Sequence, residues 1–302
     1  MSEAPRQTRT FLLKRFEEAG IRPKTRFGQN FLIDLNLLDI LYATAEVGPD
    51  DVVLEVGGGT GALTARLAQA AAHVVTVEID RQLFQLAREE LYRYPNVTMM
   101  EQDALRNKNN MHPAVIAEVN KQLAVSPNRR FKLVSNLPYN VATPIVSNLL
   151  KGDPLPYSMT ITIQKELAER MVAAPSTRDF SALSLWVQAQ CDVELIRIMP
   201  PTAFWPQPKV DSAIVRLTLR PELRGDIPDI DFFHTFIRAM FFHRRKFLRS
   251  ELLAAFKGRL DKPAVDEVMA ELGHGPTSRA EELSVDQMLA LCEGIRSRLT
   301  PE

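Results

Sequence analysis

The feature that most constrains the fold is an alternation of short apolar runs and amphipathic segments early in the chain. The runs DVVLEV (51–56) and HVVTVEI (73–79) are rich in β-branched residues, which favour strands. GALTARLAQAA (61–71) and RQLFQLAREELYRY (81–94) carry apolar residues at helical spacing. The order strand, helix, strand, helix predicts parallel strands joined by crossover helices.

Further strand-like runs follow along the chain and extend the predicted sheet. These runs are NVTMMEQ (96–102), FKLVS (131–135), SMTITIQ (158–164) and SAIVRLTLR (212–220). The sequence therefore predicts an α/β fold with a Rossmann-like, doubly wound parallel sheet. The segment MHPAVIAEVNKQLAVSPNRR (111–130) is predicted to add an extra helix and loop at the surface.

A change in sequence character marks the predicted domain boundary. The stretch PELRGDIPDID (221–231) contains Pro and Gly, and the patterns that follow it are helical throughout. We therefore predict an α/β domain over residues 1–222, in which residues 1–27 form a basic N-terminal arm. Residues 223–302 are predicted to form a small all-helical domain.

The composition argues against several classes of protein. Lys and Arg together number 37, as do Asp and Glu, so no net field attracts a polyanion to the whole molecule. Cys191 and Cys292 are too few for a disulfide framework or a zinc cluster. No apolar run approaches the length of a membrane span, and the N-terminus lacks the apolar segment of a signal peptide. We expect a cytoplasmic monomer that uses no metal and no membrane.

Positive charge is nevertheless concentrated in two segments. Residues 236–262 hold eight Lys and Arg residues against two acidic ones, and the first 30 residues hold seven against three. Such segments neutralise phosphates and release counterions, which predicts salt-dependent RNA binding through the arm and the helical domain. The predicted RNA-binding residues are Lys24, Arg26, Arg244, Arg245, Lys246 and Arg249.

The turn after the strand at 51–56 is rich in glycine. Glycines there let the backbone turn sharply and approach a ligand at the carboxyl end of a strand. The alternating glycines are Gly57, Gly59 and Gly61. Glu78 ends the next strand, where its carboxylate can accept both hydrogen bonds of a ribose diol. This combination predicts a nucleotide-type cofactor but does not separate a dehydrogenase from a methyltransferase.

Three details favour S-adenosylmethionine over NAD. The glycines are spaced Gly-x-Gly-x-Gly, and not in the Gly-x-Gly-x-x-Gly pattern that fits a pyrophosphate to a helix. Glu55 precedes them, where it would repel a pyrophosphate but attract the ammonium group of S-adenosylmethionine. Asp103 ends a third strand, where it can accept from the amine of the cofactor's adenine. An NAD oxidoreductase is an alternative that this spacing opposes.

The hexapeptide SNLPYN (135–140) follows a strand and combines an amide, a rigid ring and an aromatic face. An aryl amine such as N6 of adenine is a poor nucleophile, because its lone pair is delocalised into the ring. The Asn136 side-chain oxygen and the Leu137 carbonyl can accept from its N–H groups and aim the lone pair at a sulfonium methyl. Pro138 restrains the preceding carbonyl, and Tyr139 offers a face for stacking an extruded base.

A series of ordered motifs gives the chain a resemblance to one known family over nearly its whole length. The motifs are RFGQNFLID, LEVGGGTGALT, VVTVEID, EQDAL, SNLPYN, TIQKELAERMVA, PPTAFWPQPKVDSAIVRL, FHRRKFLRS and RAEELS. In them the sequence resembles the rRNA adenine N6-dimethyltransferases, specifically the enzymes that dimethylate two adjacent adenosines near the 3′ end of small-subunit (16S) rRNA. The resemblance implies S-adenosylmethionine as the cofactor and a precursor of the small ribosomal subunit (the pre-30S particle) as the partner.

The resemblance also implies roles for individual residues. The residues that it places around the cofactor are Asn30, Leu32, Gly57, Glu78, Asp103 and Asn136. Asn136 also holds the target amine. Phe204 is implied to be the second aromatic wall of the target-base pocket, opposite Tyr139.

Two alternatives accompany this interpretation. A related branch methylates one adenosine in large-subunit rRNA, but it resembles this chain less well at the end of NLPYN and in FWPQPKVDSA. The other alternative is a transcription or assembly factor that keeps the fold without needing its chemistry. The intact Asn136, Pro138 and Tyr139 argue against a loss of activity.

Overall fold

The computed structural model describes residues 8–24, 27–243 and 246–299 and divides into two compact units. Unit 1 comprises the described parts of Met1–Ala168 and Glu194–Thr218. Unit 2 comprises those of Glu169–Val193 and Leu219–Glu302.

Strands build the centre of unit 1. They are β1 (Phe31–Leu32), β2 (Asp51–Val56), β3 (His73–Glu78), β4 (Val97–Glu101), β5 (Leu105–Asn107), β6 (Asn110–Met111), β7 (Arg130–Asn136), β8 (Ser158–Gln164), β9 (Cys191–Met199), β10 (Phe204–Trp205) and β11 (Ser212–Leu219). Among the described residues, seven strands form a sheet in the order β4, β3, β2, β7, β8, β11, β9. The first five pair in parallel, whereas β11 pairs antiparallel with β8. The Rossmann-like α/β fold is thus confirmed, with a mixed sheet in place of a wholly parallel one.

Helices connect these strands and make up most of unit 2. They are α1 (Arg9–Glu18), α2 (Leu35–Ala45), α3 (Ala62–Ala70), α4 (Arg81–Leu91), α5 (Pro113–Leu123), α6 (Ala142–Lys151), α7 (Lys165–Val172), α8 (Ala182–Gln188), α9 (Pro221–Gly225), α10 (Ile230–Met240), α11 (Leu248–Ala255), α12 (Lys262–Glu271) and α13 (Val285–Arg296). The predicted helical character of the C-terminal region is confirmed.

Helix α5 corrects one expectation. The prediction made residues 111–130 a surface addition, but Val115 and Val119 are fully buried. The helix packs on β2, β3 and β7 and connects β4 with β7 across the sheet. A parallel connection needs such a crossover to cover the apolar face of the sheet, so α5 belongs to the core of unit 1.

The division between the units differs in part from the predicted domains. The cut between Thr218 and Leu219 lies close to the predicted boundary near residue 222. The predicted α/β domain also includes residues 169–193, which lie in the helical unit. The reason is packing: the indole of Trp186 in α8 stacks on the Phe233 ring of α10, with centroids 6.2 Å apart.

A buried ion pair joins the amino-terminal ends of β2 and β7 to α2. The Lys132 ammonium, on a residue only 3% exposed, lies 2.9 Å from an Asp51 carboxylate oxygen. It also donates to the carbonyls of Ala45 at 3.1 Å and Glu46 at 2.6 Å, where α2 ends. Arg130 donates to the second Asp51 oxygen at 3.0 Å. The pair is therefore fully hydrogen-bonded, as a buried charge requires.

We predict that Lys132→Met lowers the free energy of unfolding by about 3 kcal/mol, because it removes a buried cation from the Asp51 carboxylate and leaves it the Gly48 amide and the partly exposed Arg130. Urea denaturation measures the change. Lys121→Met is the control, since Lys121 pairs with Glu118 on the surface and should change stability by about 0.5 kcal/mol or less. Equal stability of the two variants would contradict the prediction.

Candidate active site

A cavity in unit 1 lies at the carboxyl ends of four parallel strands, β2, β3, β4 and β7. Open α/β sheets bind ligands at this edge. The predicted site residues that line the cavity are Asn30, Gly57, Gly59, Glu78, Asp103, Asn136, Leu137, Pro138 and Tyr139. The fold therefore brings together residues that the sequence places in five separate motifs.

The glycine turn and the SNLPYN turn approach each other at Gly57. Gly57 has a φ of 81°, in the left-handed region. A Cβ atom at this position would lie 3.2 Å from Cγ and Cδ of Pro138. Glycine tolerates the left-handed φ and has no Cβ to meet the Pro138 ring, so the two turns can form adjacent walls of the cavity.

Gly61 has a different reason to be glycine. It is the N-cap of α3 with a φ of 79°, and a Cβ there would lie 3.2 Å from Cγ of Leu91 in α4. This glycine therefore permits the close packing of α3 on α4. The cavity itself is lined by Gly57 and Gly59.

Glu78 is held in one orientation by the backbone. The Gly59 amide donates to one carboxylate oxygen at 2.9 Å, and the Asp80 amide donates to the other at 2.8 Å. Burial raises the pKa of the Glu78 carboxyl, and these two hydrogen bonds act against that increase. The result is a buried, fixed acceptor at the end of β3.

The amide of Asn136 is oriented by Asn30. Its Nδ2 donates to the Asn30 carbonyl at 2.9 Å, a contact between residues 106 positions apart. Because a carbonyl only accepts hydrogen bonds, the nitrogen of the amide faces Asn30. Oδ1 is then the acceptor that Asn136 presents, in a different direction.

Tyr139 is held by a residue that is distant from it in the sequence. Its hydroxyl lies 2.5 Å from Oγ of Ser212, which is fully buried at the start of β11. Burial raises the pKa of the Tyr139 phenol, so the ring is neutral. Leu137, two residues before Tyr139, is 1% exposed, and its amide donates to the Thr162 carbonyl at 3.2 Å. The turn is therefore anchored on both sides.

Leu32 and Phe204 are cross-strand partners in the short β1–β10 pair. Phe204 is 2% exposed and packs in an apolar core cluster with Leu32. The structure thus places the Phe204 ring in this core, while Tyr139 lines the cavity. Leu32 lines a smaller, second cavity that shares Gly57 and Asn136 with the first.

Glu55 also lines the second cavity, although it is only 2% exposed. The hydroxyls of Thr64 and Thr76 donate to one of its oxygens at 2.5 and 2.8 Å. Burial raises the pKa of the Glu55 carboxyl to about 7, although these hydrogen bonds oppose the increase. A cationic group in this cavity would favour the ionised form.

The predicted RNA-binding residues differ in whether an acidic side chain pairs with them. Lys24 forms an ion pair with Asp80 at 2.9 Å, and Arg249 pairs with Asp266. Lys246 is exposed. The other three predicted residues, Arg26, Arg244 and Arg245, lie outside the described residues.

The described part of the chain offers neither a cluster of metal-binding side chains nor a membrane-spanning helix. Within residues 8–24, 27–243 and 246–299, no group of three or more His, Cys, Asp or Glu side chains could hold a metal ion. No helix in this same part of the chain is long and apolar enough to cross a membrane.

The family of the chain follows from its match to a known family model. A family model described as "Ribosomal RNA adenine dimethylase" matches residues 20–296. The chain belongs to the ribosomal RNA adenine dimethylase family. The resemblance inferred from the motifs is therefore confirmed.

Two curated relatives of this dimethylase are both named "Ribosomal RNA small subunit methyltransferase A". The protein from Lactiplantibacillus plantarum is 40% identical over 278 residues, covering 91% of each chain. The protein from Clostridium acetobutylicum is 37% identical over 280 residues, covering 92% of this chain and 96% of its own.

Solved structures support the fold of the dimethylase. A dimethyladenosine transferase from Plasmodium falciparum aligns with a TM-score of 0.72 and 24% identity, over 87% of this chain and 96% of that one. The 23S rRNA methyltransferase ErmE aligns with a TM-score of 0.61 and 26% identity, over 88% of this chain and all of its own.

Sequence reasoning did not single out three residues that support the site of the dimethylase. Gln29 and Asp80 hydrogen-bond to each other beside the cavity, and Ser212 holds Tyr139. All three stand in motifs that carried the family resemblance. Their position in those motifs is the signal that could have identified them, since none has a distinctive local pattern.

We predict that Glu55→Gln changes how the stability of the dimethylase depends on pH. Burial raises the pKa of Glu55 in the folded protein from its ordinary value of 4.5 to about 7, so folding favours the protonated form. Its stabilisation is fully present below pH 4.5 and is lost as pH rises through about 7. Gln keeps an acceptor for the two threonines but does not ionise.

Thermal or urea unfolding of the wild type and of Glu55→Gln, from pH 4.5 to above pH 7, measures the effect. Relative to Glu55→Gln, the wild type should lose on the order of 3 kcal/mol between the two ends of the range. A stability difference that does not change with pH would contradict the raised pKa.

Proposed function

We propose that this dimethylase transfers methyl groups from S-adenosylmethionine to N6 of two adjacent adenosines near the 3′ end of small-subunit rRNA. The product is N6,N6-dimethyladenosine, and the substrate is a precursor of the small ribosomal subunit in the cytoplasm. The observation that carries the proposal is the Asn136 amide, oriented by Asn30 at a cavity that Glu78 and Asp103 also line.

The residues around the cavity fit S-adenosylmethionine in their chemistry. Glu78 is a fixed double acceptor that suits a ribose diol, and Asp103 lines the cavity as an acceptor for an adenine amine. Glu55 offers a carboxylate near the glycine turn that suits an ammonium group. When bound, the cofactor supplies an electrophilic methyl group on a sulfonium.

The protein's own residues then act on the target amine. Asn136 Oδ1 and the Leu137 carbonyl accept from its two N–H groups and direct the nitrogen lone pair toward the methyl group. Tyr139 stacks on the extruded base, with its ring held by Ser212. No side-chain base of ordinary pKa removes a proton from this neutral amine. The catalysis therefore depends on hydrogen bonding and alignment, which lower the barrier to transfer.

RNA binding is proposed for the helical unit and the N-terminal arm. Lys246 is exposed in the basic segment, next to Arg244 and Arg245 in the sequence. Arg249 can reach phosphates only in exchange for its ion pair with Asp266. We propose that this segment contacts the rRNA backbone and that binding weakens as salt concentration rises.

The test of this function is methyl transfer from labelled S-adenosylmethionine to under-methylated small ribosomal subunits. Large subunits and free adenosine serve as parallel substrates, and nucleoside mass spectrometry identifies the product. We expect N6,N6-dimethyladenosine in the small subunit alone. Transfer to the large subunit would indicate the other branch of rRNA methyltransferases, and cofactor binding without transfer to any RNA would indicate an assembly factor.

We predict that Asn136→Ala reduces methyl transfer by about 10² or more, because it removes the acceptor that orients the target amine. Binding of S-adenosylmethionine, measured by calorimetry, should be largely retained. Asn128→Ala removes the same side-chain amide from an exposed loop and should transfer at the wild-type rate. Activity of Asn136→Ala near that of the wild type would contradict the proposed role of the amide.

A further inference from the structure

Asp80 lies two residues after Glu78 and is 2% exposed. It is the N-cap of α4, and its Oδ1 accepts from the Gln82 amide at 3.0 Å. Capping a helix needs no more than this contact. The carboxylate of Asp80 nevertheless takes further donors from a distant part of the chain.

Two side chains from the N-terminal segment bind the same carboxylate. The Lys24 ammonium lies 3.1 Å from Oδ1 and 2.9 Å from Oδ2, and Gln29 Nε2 donates to Oδ2 at 3.1 Å. Burial acts to raise the pKa of Asp80, but the hydrogen bonds from Lys24, Gln29 and the Gln82 amide, together with the charge of Lys24, outweigh it and lower that pKa. Asp80 is therefore a buried, ionised and fully bonded carboxylate.

The N-terminal segment is also closed on itself at this point. The Lys24 amide donates to Gln29 Oε1 at 2.6 Å, so Gln29 bridges Lys24 and Asp80 through both ends of its amide. The next residue is Asn30, whose carbonyl accepts from Asn136 Nδ2 at 2.9 Å. The Asp80 contacts therefore end one residue before the carbonyl that orients Asn136.

These contacts form a continuous path between Glu78 and Asn136, two of the residues that line the cavity. At one end, the Asp80 amide holds Glu78. At the other, Asn30 holds Asn136. We call the three side chains Lys24, Gln29 and Asp80 the arm clamp.

We propose that Asp80 is a positioning residue of the transfer reaction: through the arm clamp it fixes the Asn30 carbonyl, and thereby the direction of the Asn136 amide. This deepens the proposed function and rests on it. It also gives the Lys24 ammonium a role apart from phosphate binding, because its charge is paired with Asp80 at 2.9 Å. An amide that rotates away from its productive direction no longer aligns the amine, so the rate falls while the cofactor still binds.

The experiment compares Asp80→Asn, Lys24→Met and Asn136→Ala in the full chain. Asn at position 80 keeps an acceptor for the α4 cap but removes the charge that Lys24 binds. We expect the single-turnover rate at saturating cofactor to fall by about tenfold in Asp80→Asn and in Lys24→Met. The double variant of these two should be no slower than either single variant, because both break one clamp.

Three controls separate positioning from a merely structural role. Lys24→Arg keeps the ion pair and should restore most of the rate. Asp229→Asn alters another N-cap, that of α10, outside the basic segment, and should leave the rate unchanged. Asp80→Asn in the Asn136→Ala background should cause little further loss, since no amide is left to orient. All rates are measured well below each variant's melting temperature.

A second readout does not depend on activity. The side-chain amide resonances of Asn136, identified by their loss in Asn136→Ala, should shift in Asp80→Asn and in Lys24→Met but not in Asp229→Asn. Wild-type rates for the clamp variants, or rate losses that add to that of Asn136→Ala, would overturn the inference. So would unshifted Asn136 resonances. An inactive wild type whose resonances respond as expected would overturn only the proposed function.

Discussion

The parallel pairing of β3, β2 and β7 is the constraint on which the site depends. Because these strands run in the same direction, the turns that follow them meet at one edge of the sheet. Their separation is then set by Gly57, where a Cβ would lie 3.2 Å from the Pro138 ring. A larger residue would move the SNLPYN turn, and with it Asn136, away from the glycine loop.

Buried acids are the second organising feature, and each has its own set of donors. Two threonine hydroxyls bind Glu55, two backbone amides bind Glu78, and two side chains of the N-terminal segment bind Asp80. Hydrogen bonds of this kind offset the cost of removing a carboxylate from water. They also fix the directions in which the remaining acceptor positions point, which a site that aligns its ligands requires.

Prediction succeeded where the pattern is local. The strands β2 and β3 and the glycine turn between them are encoded in consecutive residues, as is the helical character after residue 230. It failed for α5: its apolar spacing is visible, but the sequence does not say which surface covers it. The two-residue pair β1–β10 has no pattern to detect, and α8 joins the helical unit through Trp186, a contact that no nearby residue signals.

The sequence by itself determined the α/β class, the family motifs, and the acids and amide that follow each strand, because strand ends and turns depend on neighbouring residues. Only the tertiary structure decided the partners of those groups. The contacts of Asp80 with Lys24, of Tyr139 with Ser212 and of Asn136 with Asn30 join residues 56, 73 and 106 positions apart. Likewise, only packing decided that Phe204 is buried against Leu32. No local pattern encodes such contacts, because they form only when the sheet brings distant segments to one edge.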